Sequence, residues 1–277
     1  MSRLRISAIS YLNTAPLMWD FEHGRAGKDF DISYTIPSAC AAALKAGQAD
    51  IGIIPAAAYT TIPDLVVLPG VAIAARCAVR SILLVSKVPL DGIRTVALDT
   101  SSMTSFALTK VLFEKYYGTG RTFTPHAPDL DAMLRSHDAG LLIGDPALQI
   151  DRSRYYTYDL AEEWIRLTGK PFVFAFWAVR SAAAIAEPSL DLAQIFQESR
   201  DRGLKEESLA EICRTWSQRL DLTESDVRSY LTDNIYYYLD PDCLEGMQLF
   251  YEYAHACGAL PAASSLRFLE LPRPVAT

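Results

Sequence analysis

Short apolar runs alternate along this chain with segments whose apolar residues recur at helical spacing, and each change of period marks an element. Residues 4–10 alternate as a half-buried strand does. They lead into a polar turn, after which Pro16 stands where a helix over 15–23 would begin. Residues 29–35 read as a second strand, and Ser38 is placed to cap an Ala-rich helix over 39–46 that Gly47 stops. A short strand over 50–54 closes at Pro55, a helical turn follows near 56–60, and 66–69, 71–75 and 81–86 are β-rich. After Pro89-Leu90-Asp91-Gly92 a similar series begins, with a strand over 95–98 and the polar turn Asp99-Thr100-Ser101-Ser102-Met103-Thr104-Ser105. Next come an amphipathic helix over 106–117 ended by Gly118, a strand over 121–124, a helix over 129–135 and a buried strand over 139–143. Gly144-Asp145-Pro146-Ala147 opens a short helix, an acidic helix lies within 155–167, and 172–179 is an apolar, aromatic strand. From about 190 to 259 the pattern is helical, with breaks near Gly203, at 220–223 with Thr223 as N-cap, and at Asp240-Pro241.

Two βαβ-type halves joined by two apolar strands, 81–86 and 172–179, predict an α/β protein of two lobes with a cleft between them. The first of these strands leaves lobe one and the second returns to it. Residues 1–88 and 178–277 then form lobe one with its C-terminal helices, and 89–177 form lobe two, an insertion of roughly 90 residues. This is the periplasmic-binding-protein-like (type II) plan, in which two lobes close over a ligand. The helical tail is expected to cover lobe one rather than to make a dimer contact; monomer and homodimer both stay open.

Composition narrows the chemistry. At 277 residues, 50% hydrophobic and 21% charged, the chain is globular. A net charge of −7 argues against nucleic acid, whose phosphates need a basic face. Met1-Ser2-Arg3-Leu4-Arg5 runs straight into a strand without an apolar leader, and no run is long enough to cross a bilayer, so a cytoplasmic protein without membrane contact is expected. Five scattered cysteines (Cys40, Cys77, Cys213, Cys243, Cys257) without C-x-x-C read as reduced and mostly buried. Four dispersed histidines show no ligand spacing, and no metal is expected.

Three groups of small polar residues fall where strands end. Open α/β sheets bind small ligands there, and helix N-termini present free N–H groups to anions. The groups are Ser10, Asn13 and Thr14; Ser38 with Arg80 and Ser81; and Thr100, Ser101, Ser102, Thr104 and Ser105. Capping accounts for Ser38 alone, as it does for Thr104 or Ser105. Arg80 reads as a surface or salt-bridging residue before a carboxylate clamp, and Asp145 as a cap for the short helix. Five hydroxyls within 100–105 exceed what one cap uses, and Asn13 occupies the turn itself, where a helix-disfavouring amide is free to meet a ligand. The dinucleotide, P-loop, nucleophile-elbow and zinc-helix motifs are all missing. His126 and His137 read as surface residues rather than bases, and the aromatic strand and Tyr236-Tyr237-Tyr238 as packing.

Tyr11-Leu12-Asn13-Thr14-Ala15-Pro16-Leu17 can be set beside residues 44–55, 79–86, 142–148 and Glu162-Glu163-Trp164-Ile165-Arg166-Leu167-Thr168-Gly169-Lys170-Pro171-Phe172-Val173-Phe174-Ala175. Together they resemble the chorismate dehydratases of the futalosine route to menaquinone, in order along the whole chain. The sister dihydroxynaphthoate synthases share the bilobal fold, but their first strand leads into a Cys-Pro-Asn-Asp-type turn that Tyr11-Leu12-Asn13 does not match. The resemblance implies that chorismate, a dicarboxylate, loses water to give 3-[(1-carboxyvinyl)oxy]benzoate without a cofactor. Asn13 and Ser81 are then expected to be the catalytic donors that orient the substrate and stabilise the developing charge. The substrate contacts would be Ser10, Tyr11, Ser38, Pro55, Arg80, Ser101, Ser102, Thr104, Ser105, Gly144 and Asp145. With no convincing His or Glu as base, the substrate's own enolpyruvyl carboxylate is expected to take the proton.

Three other readings compete. A solute-binding protein would carry an export signal or lipoprotein cysteine; the sister lyase would carry its own first turn; a ligand-sensing regulator would carry a DNA-binding segment.

Overall fold

A computed structural model of the chain describes residues 3–186 and 190–270; Met1, Ser2, 187–189 and 271–277, all assigned by sequence to lobe one, lie outside the described residues. In chain order the strands are β1 (Leu4–Ile9), β2 (Phe30–Thr35), β3 (Ile51–Pro55), β4 (Leu65–Ala75), β5 (Ile82–Ser86), β6 (Thr95–Asp99), β7 (Thr122–His126), β8 (Ala139–Ile143), β9 (Tyr156–Asp159) and β10 (Phe172–Arg180). They form two five-stranded sheets, ordered β2-β1-β3-β10-β4 and β7-β6-β8-β5-β9. The sheets follow one plan: three parallel strands (β2, β1, β3 in one, β7, β6, β8 in the other), then a long-range antiparallel strand (β10 or β5) with one more antiparallel neighbour. The two-lobe α/β architecture expected from the sequence is present.

The chain changes sheet earlier than the sequence pattern suggests. β5 pairs along its whole length with β8 and from Leu83 to Ser86 with β9 in the second sheet, and β10 pairs from Phe172 to Arg180 with β4 in the first. The passages between sheets are therefore 76–81 and 169–171, just before each apolar strand rather than after it. A strand buried on both faces reads as apolar whichever sheet receives it, so periodicity does not locate the crossing.

The helices are α1 (Ala15–His23), α2 (Pro37–Lys45), α3 (Met103–Leu112), α4 (Leu130–Ser136), α5 (Asp145–Leu148), α6 (Leu160–Thr168), α7 (Ser181–Ala186), α8 (Leu192–Gly203), α9 (Glu206–Leu220), α10 (Glu224–Ser229) and α11 (Pro241–Ala256). Single π-turns prolong α3 through Tyr117 and α10 through Asn234. Thr223 caps α10 as expected, and its hydroxyl accepts the Asp226 N–H. Ser38 does not cap α2: the helix starts two residues earlier than expected, at Pro37, the cap position is Ile36, and no side chain caps it. Proline at the first helical position needs no donor partner, which removes one of the N–H groups a cap would serve. β4 runs unbroken through Pro69-Gly70, and β9 was not anticipated because its short YTYD pattern merges with the helix after it.

The tail covers lobe one, as expected, through α8. Ser199 Oγ donates to the Leu17 carbonyl at 2.8 Å, and Gly203 lies so close to Pro16 that a Cβ would fall 1.9 Å from its carbonyl oxygen. α11 goes further and packs on α3 of the second lobe as well as on β10. The core beneath is aromatic: Phe172, Phe176 and Trp177 of β10, Trp164 of α6, Phe196 of α8 and Phe250 of α11 are fully buried. Cys40, Cys213 and Cys243 are buried, and no disulfide forms among the described residues.

Candidate active site

β1 ends at Ile9. The chain then makes a single 3₁₀ turn over Leu12–Thr14 before α1, so Tyr11 and Asn13 sit at the carboxyl end of a parallel strand, facing the second lobe. The turn's donors are partly used by the protein itself. The Leu12 N–H donates to Asp145 Oδ1 at 2.9 Å, and the Thr14 N–H donates to the Tyr11 carbonyl. A carboxylate of the second lobe thus stands where sequence expected a free anion site. Gly144, at φ +64° between β8 and α5, carries the Tyr11 ring directly on its backbone; a Cβ there would lie 2.6 Å from the ring. Only glycine meets both demands.

Further bonds tie the lobes. The Ser38 N–H donates to the Ser101 carbonyl (3.1 Å) and the Ala57 N–H to Thr104 Oγ1 (3.1 Å). Thr104 Oγ1 in turn donates to the Phe174 carbonyl. The Ser101 hydroxyl donates to Asp99 Oδ1 at 2.6 Å. Between these contacts lies a cavity of about 40 Å³, walled by Tyr11, Asn13, Ser102, Thr104 and Ser105 with Pro37, Pro55, Gly144 and Phe174. One water takes about 10–15 Å³ on this scale, so the lobes stand nearly closed and must part to admit a larger molecule.

The sequence-predicted residues divide into two sets. Tyr11, Asn13, Pro55, Ser102, Thr104, Ser105 and Gly144 share the cavity wall. The others lie outside it. Ser10 opens on a separate cavity of about 380 Å³ on the far side of Tyr11, together with Thr14 and Arg219. Ser38 contributes a backbone bond, Ser101 an inner hydrogen-bond link, and Asp145 the bond to Leu12. Arg80 sits in the 76–81 passage at φ +63°; its N–H donates to Asp159 Oδ2 and its guanidinium to Ser229 Oγ. Ser81, the next residue, is fully buried, and its Oγ accepts the Tyr230 hydroxyl at 2.9 Å. Ser102, not Thr104 or Ser105, caps α3, accepting the Ser105 N–H. Asp145 does not cap α5; it is the first residue of that helix.

Sequence reasoning passed over two features. The apolar part of the wall (Ile9, Ile73, Ile82, Ile143, Phe174) looks like ordinary strand core in the sequence. Tyr230 is reached only through the fold, although the π-turn it opens is a feature that recurs at functional positions.

Burial sets the electrostatics. It pushes the Asp145 carboxyl up to about 6, with the Leu12 N–H and the charge of Arg219 pulling the other way. Asp99 is raised by burial against two bonds from Ser101, and its Oδ2 has no partner among the described residues. Asp159 is raised likewise although it accepts from the Val79, Arg80, Ala161 and Glu162 N–H groups. His126 and His137 are half-buried beside each other, ring centroids 6.3 Å apart, and neither lines the cavity. Among the described residues no group of three or more His, Cys, Asp or Glu is arranged for a metal ion, and no helix is long and apolar enough to cross a membrane.

The sequence model of the menaquinone biosynthesis family matches residues 4–256. The chain belongs to that family. This family member is 29% identical over 260 residues to the chorismate dehydratase of Thermus thermophilus, covering 87% of this chain and 92% of that protein. Its fold is shared with the Archaeoglobus fulgidus protein AF1704 (TM-score 0.67, 16% identity, 93% of this chain and 98% of that one). It is shared equally with the periplasmic aliphatic sulphonate binding protein SsuA of Escherichia coli (TM-score 0.64, 15% identity, 100% and 96%). The menaquinone family member therefore has the periplasmic-binding-protein-like fold.

Proposed function

We propose that this protein is a chorismate dehydratase, a carbon–oxygen lyase that removes water from chorismate to give 3-[(1-carboxyvinyl)oxy]benzoate in the cytoplasm. The observation that carries the reading is the interlobe cavity. Neutral donors from both lobes (Asn13, Ser102, Ser105) converge there over apolar walls, on a chain whose family makes menaquinone. Neutral hydrogen bonds suit a dicarboxylate ring without fixing it as rigidly as an arginine fork would.

The chemistry asks little of the protein. The proton on ring C3 is vinylogous to the ring carboxylate, so its removal gives a delocalised anion that expels the C4 hydroxyl as water forms. Aromatisation drives the step, and no redox or acyl carrier is called for. Asn13 orients the substrate and stabilises the developing charge, Ser81 supports it from behind the wall, and the enolpyruvyl carboxylate takes the C3 proton and returns it to the departing C4 hydroxyl, which leaves as water. Closure of the two lobes, which the strand pairing divides at 76–81 and 169–171, excludes water from the anion.

Chorismate incubated with the purified protein should yield an aromatic product of the dehydrated mass, followed by absorbance and mass spectrometry. Asn13→Ala should lower kcat about 10²-fold. Chorismate that binds and returns unchanged would favour the solute-binding reading; full turnover by Asn13→Ala would remove Asn13 from the mechanism.

A further inference from the structure

Among the described residues that wall the small interlobe cavity, Tyr11 alone is not buried. Its ring is also part of the wall of the cavity of about 380 Å³ on its other side, where Glu22, Tyr34, Thr215 and Arg219 are exposed. Ile9 belongs to both walls too, but as buried strand core. One side chain therefore separates the enclosed donors from a compartment open to solvent. The Tyr11 ring rests on Gly144 of the second lobe, so parting of the lobes releases it. The end of α9 is tied to the same lobe: Gln149 Nε2 donates to the carbonyl of Leu220, the residue after Arg219, at 2.9 Å.

Resting on the dehydratase reading, we propose that the larger cavity is the entrance to the site, where Arg219 receives a carboxylate of the incoming substrate before it passes Tyr11. Arg219 is the one cationic side chain among the described residues of either wall. Its guanidinium lies 4.3 Å from the centre of the Trp216 ring, and it takes part in no hydrogen bond or ion pair among the described residues. Stacking of this kind sets the plane of the guanidinium and leaves its N–H edge for an anionic oxygen. The other charged group on that wall, the Glu22 carboxylate, accepts the Tyr34 hydroxyl. A chain of net charge −7 repels a dicarboxylate at long range, and a cation at the mouth offsets the repulsion where the ligand enters. Beyond Tyr11 the neutral donors take over, so the ligand is not held at the entrance. Arg219 then governs arrival, and the elimination runs without it.

Trp216 stands on the entrance wall, so the tryptophan fluorescence phase seen on stopped-flow mixing with chorismate, and absent from Trp216→Phe, reads arrival there. Arg219→Gln should lower the association rate constant about tenfold at low ionic strength, and the deficit should shrink in high salt. Arg219→Lys, which keeps the charge, should stay within about threefold of wild type. A residue that merely supported the fold would show a deficit that salt leaves unchanged and that lysine does not rescue. That result, a wild-type rate in Arg219→Gln, or a Trp216 that does not respond to chorismate would overturn the proposal, and continued formation of the aromatic product would leave the dehydratase reading intact. Arg219-dependent association without that product would keep the entrance and overturn the dehydratase reading instead.

Discussion

Asp145→Asn isolates the carboxylate that reaches across the cleft. The asparagine oxygen can still accept the Leu12 N–H, so the change removes charge and little else. Burial raises the Asp145 carboxyl from 3.8 to about 6. A carboxyl that binds its proton more tightly folded than unfolded loses stability as pH rises from the unfolded value through the folded one. Below 3.8 the neutral acid costs nothing; above 6 the full penalty of holding the ion in the cleft is present. The shift corresponds to up to about 3 kcal/mol at 1.36 kcal/mol per unit, of which about 2 develops between pH 4.5 and 8. Urea unfolding of wild type and variant at both pH values gives the test, because every other titrating group cancels in the difference. Asp145→Asn should gain about 2 kcal/mol on wild type over that interval, and its advantage should be largest at pH 8. A difference that is flat with pH, or that shrinks as pH rises, would refute the assignment of a strained interlobe carboxylate.

Three further outcomes follow from the same geometry. Gly144→Ala places a Cβ against the Tyr11 ring in a backbone region reserved for glycine, and should cost about 2 kcal/mol or more in unfolding free energy with a marked loss of turnover. Asp159→Ala leaves the Val79 and Arg80 N–H groups and the first turn of α6 without an acceptor, so chemical denaturation should show a loss of about 2–4 kcal/mol. Replacing His126 and His137 together with alanine should leave kcat on chorismate within about twofold of wild type, as neither lines the cavity; a drop of about 10²-fold, the usual worth of a general base, would restore a histidine base.

Much was legible in the chain alone. The alternation of β-rich and helical periods foretold a two-lobe α/β fold, Thr223 and Gly203 marked helix ends, and the hydroxyl-rich turn at 100–105 and Asn13 were placed at strand ends where the cavity lies. These signals are local: period, capping chemistry and turn residues act within a few positions and survive whatever the rest of the chain does. The fold alone decided which sheet takes each crossing strand, since both are apolar throughout, and which polar residues face the cleft. Ser81, Arg80 and Asp145 look in the sequence like the wall residues Ser102 and Asn13; they differ because Tyr230, Asp159 and Leu12, each distant in the chain, occupy their polar atoms. A hydrogen-bond partner about 150 positions away leaves no periodic trace. Residue types thus limited the chemistry to neutral donors and a buried anion, and long-range pairing chose the ones that remain free for it.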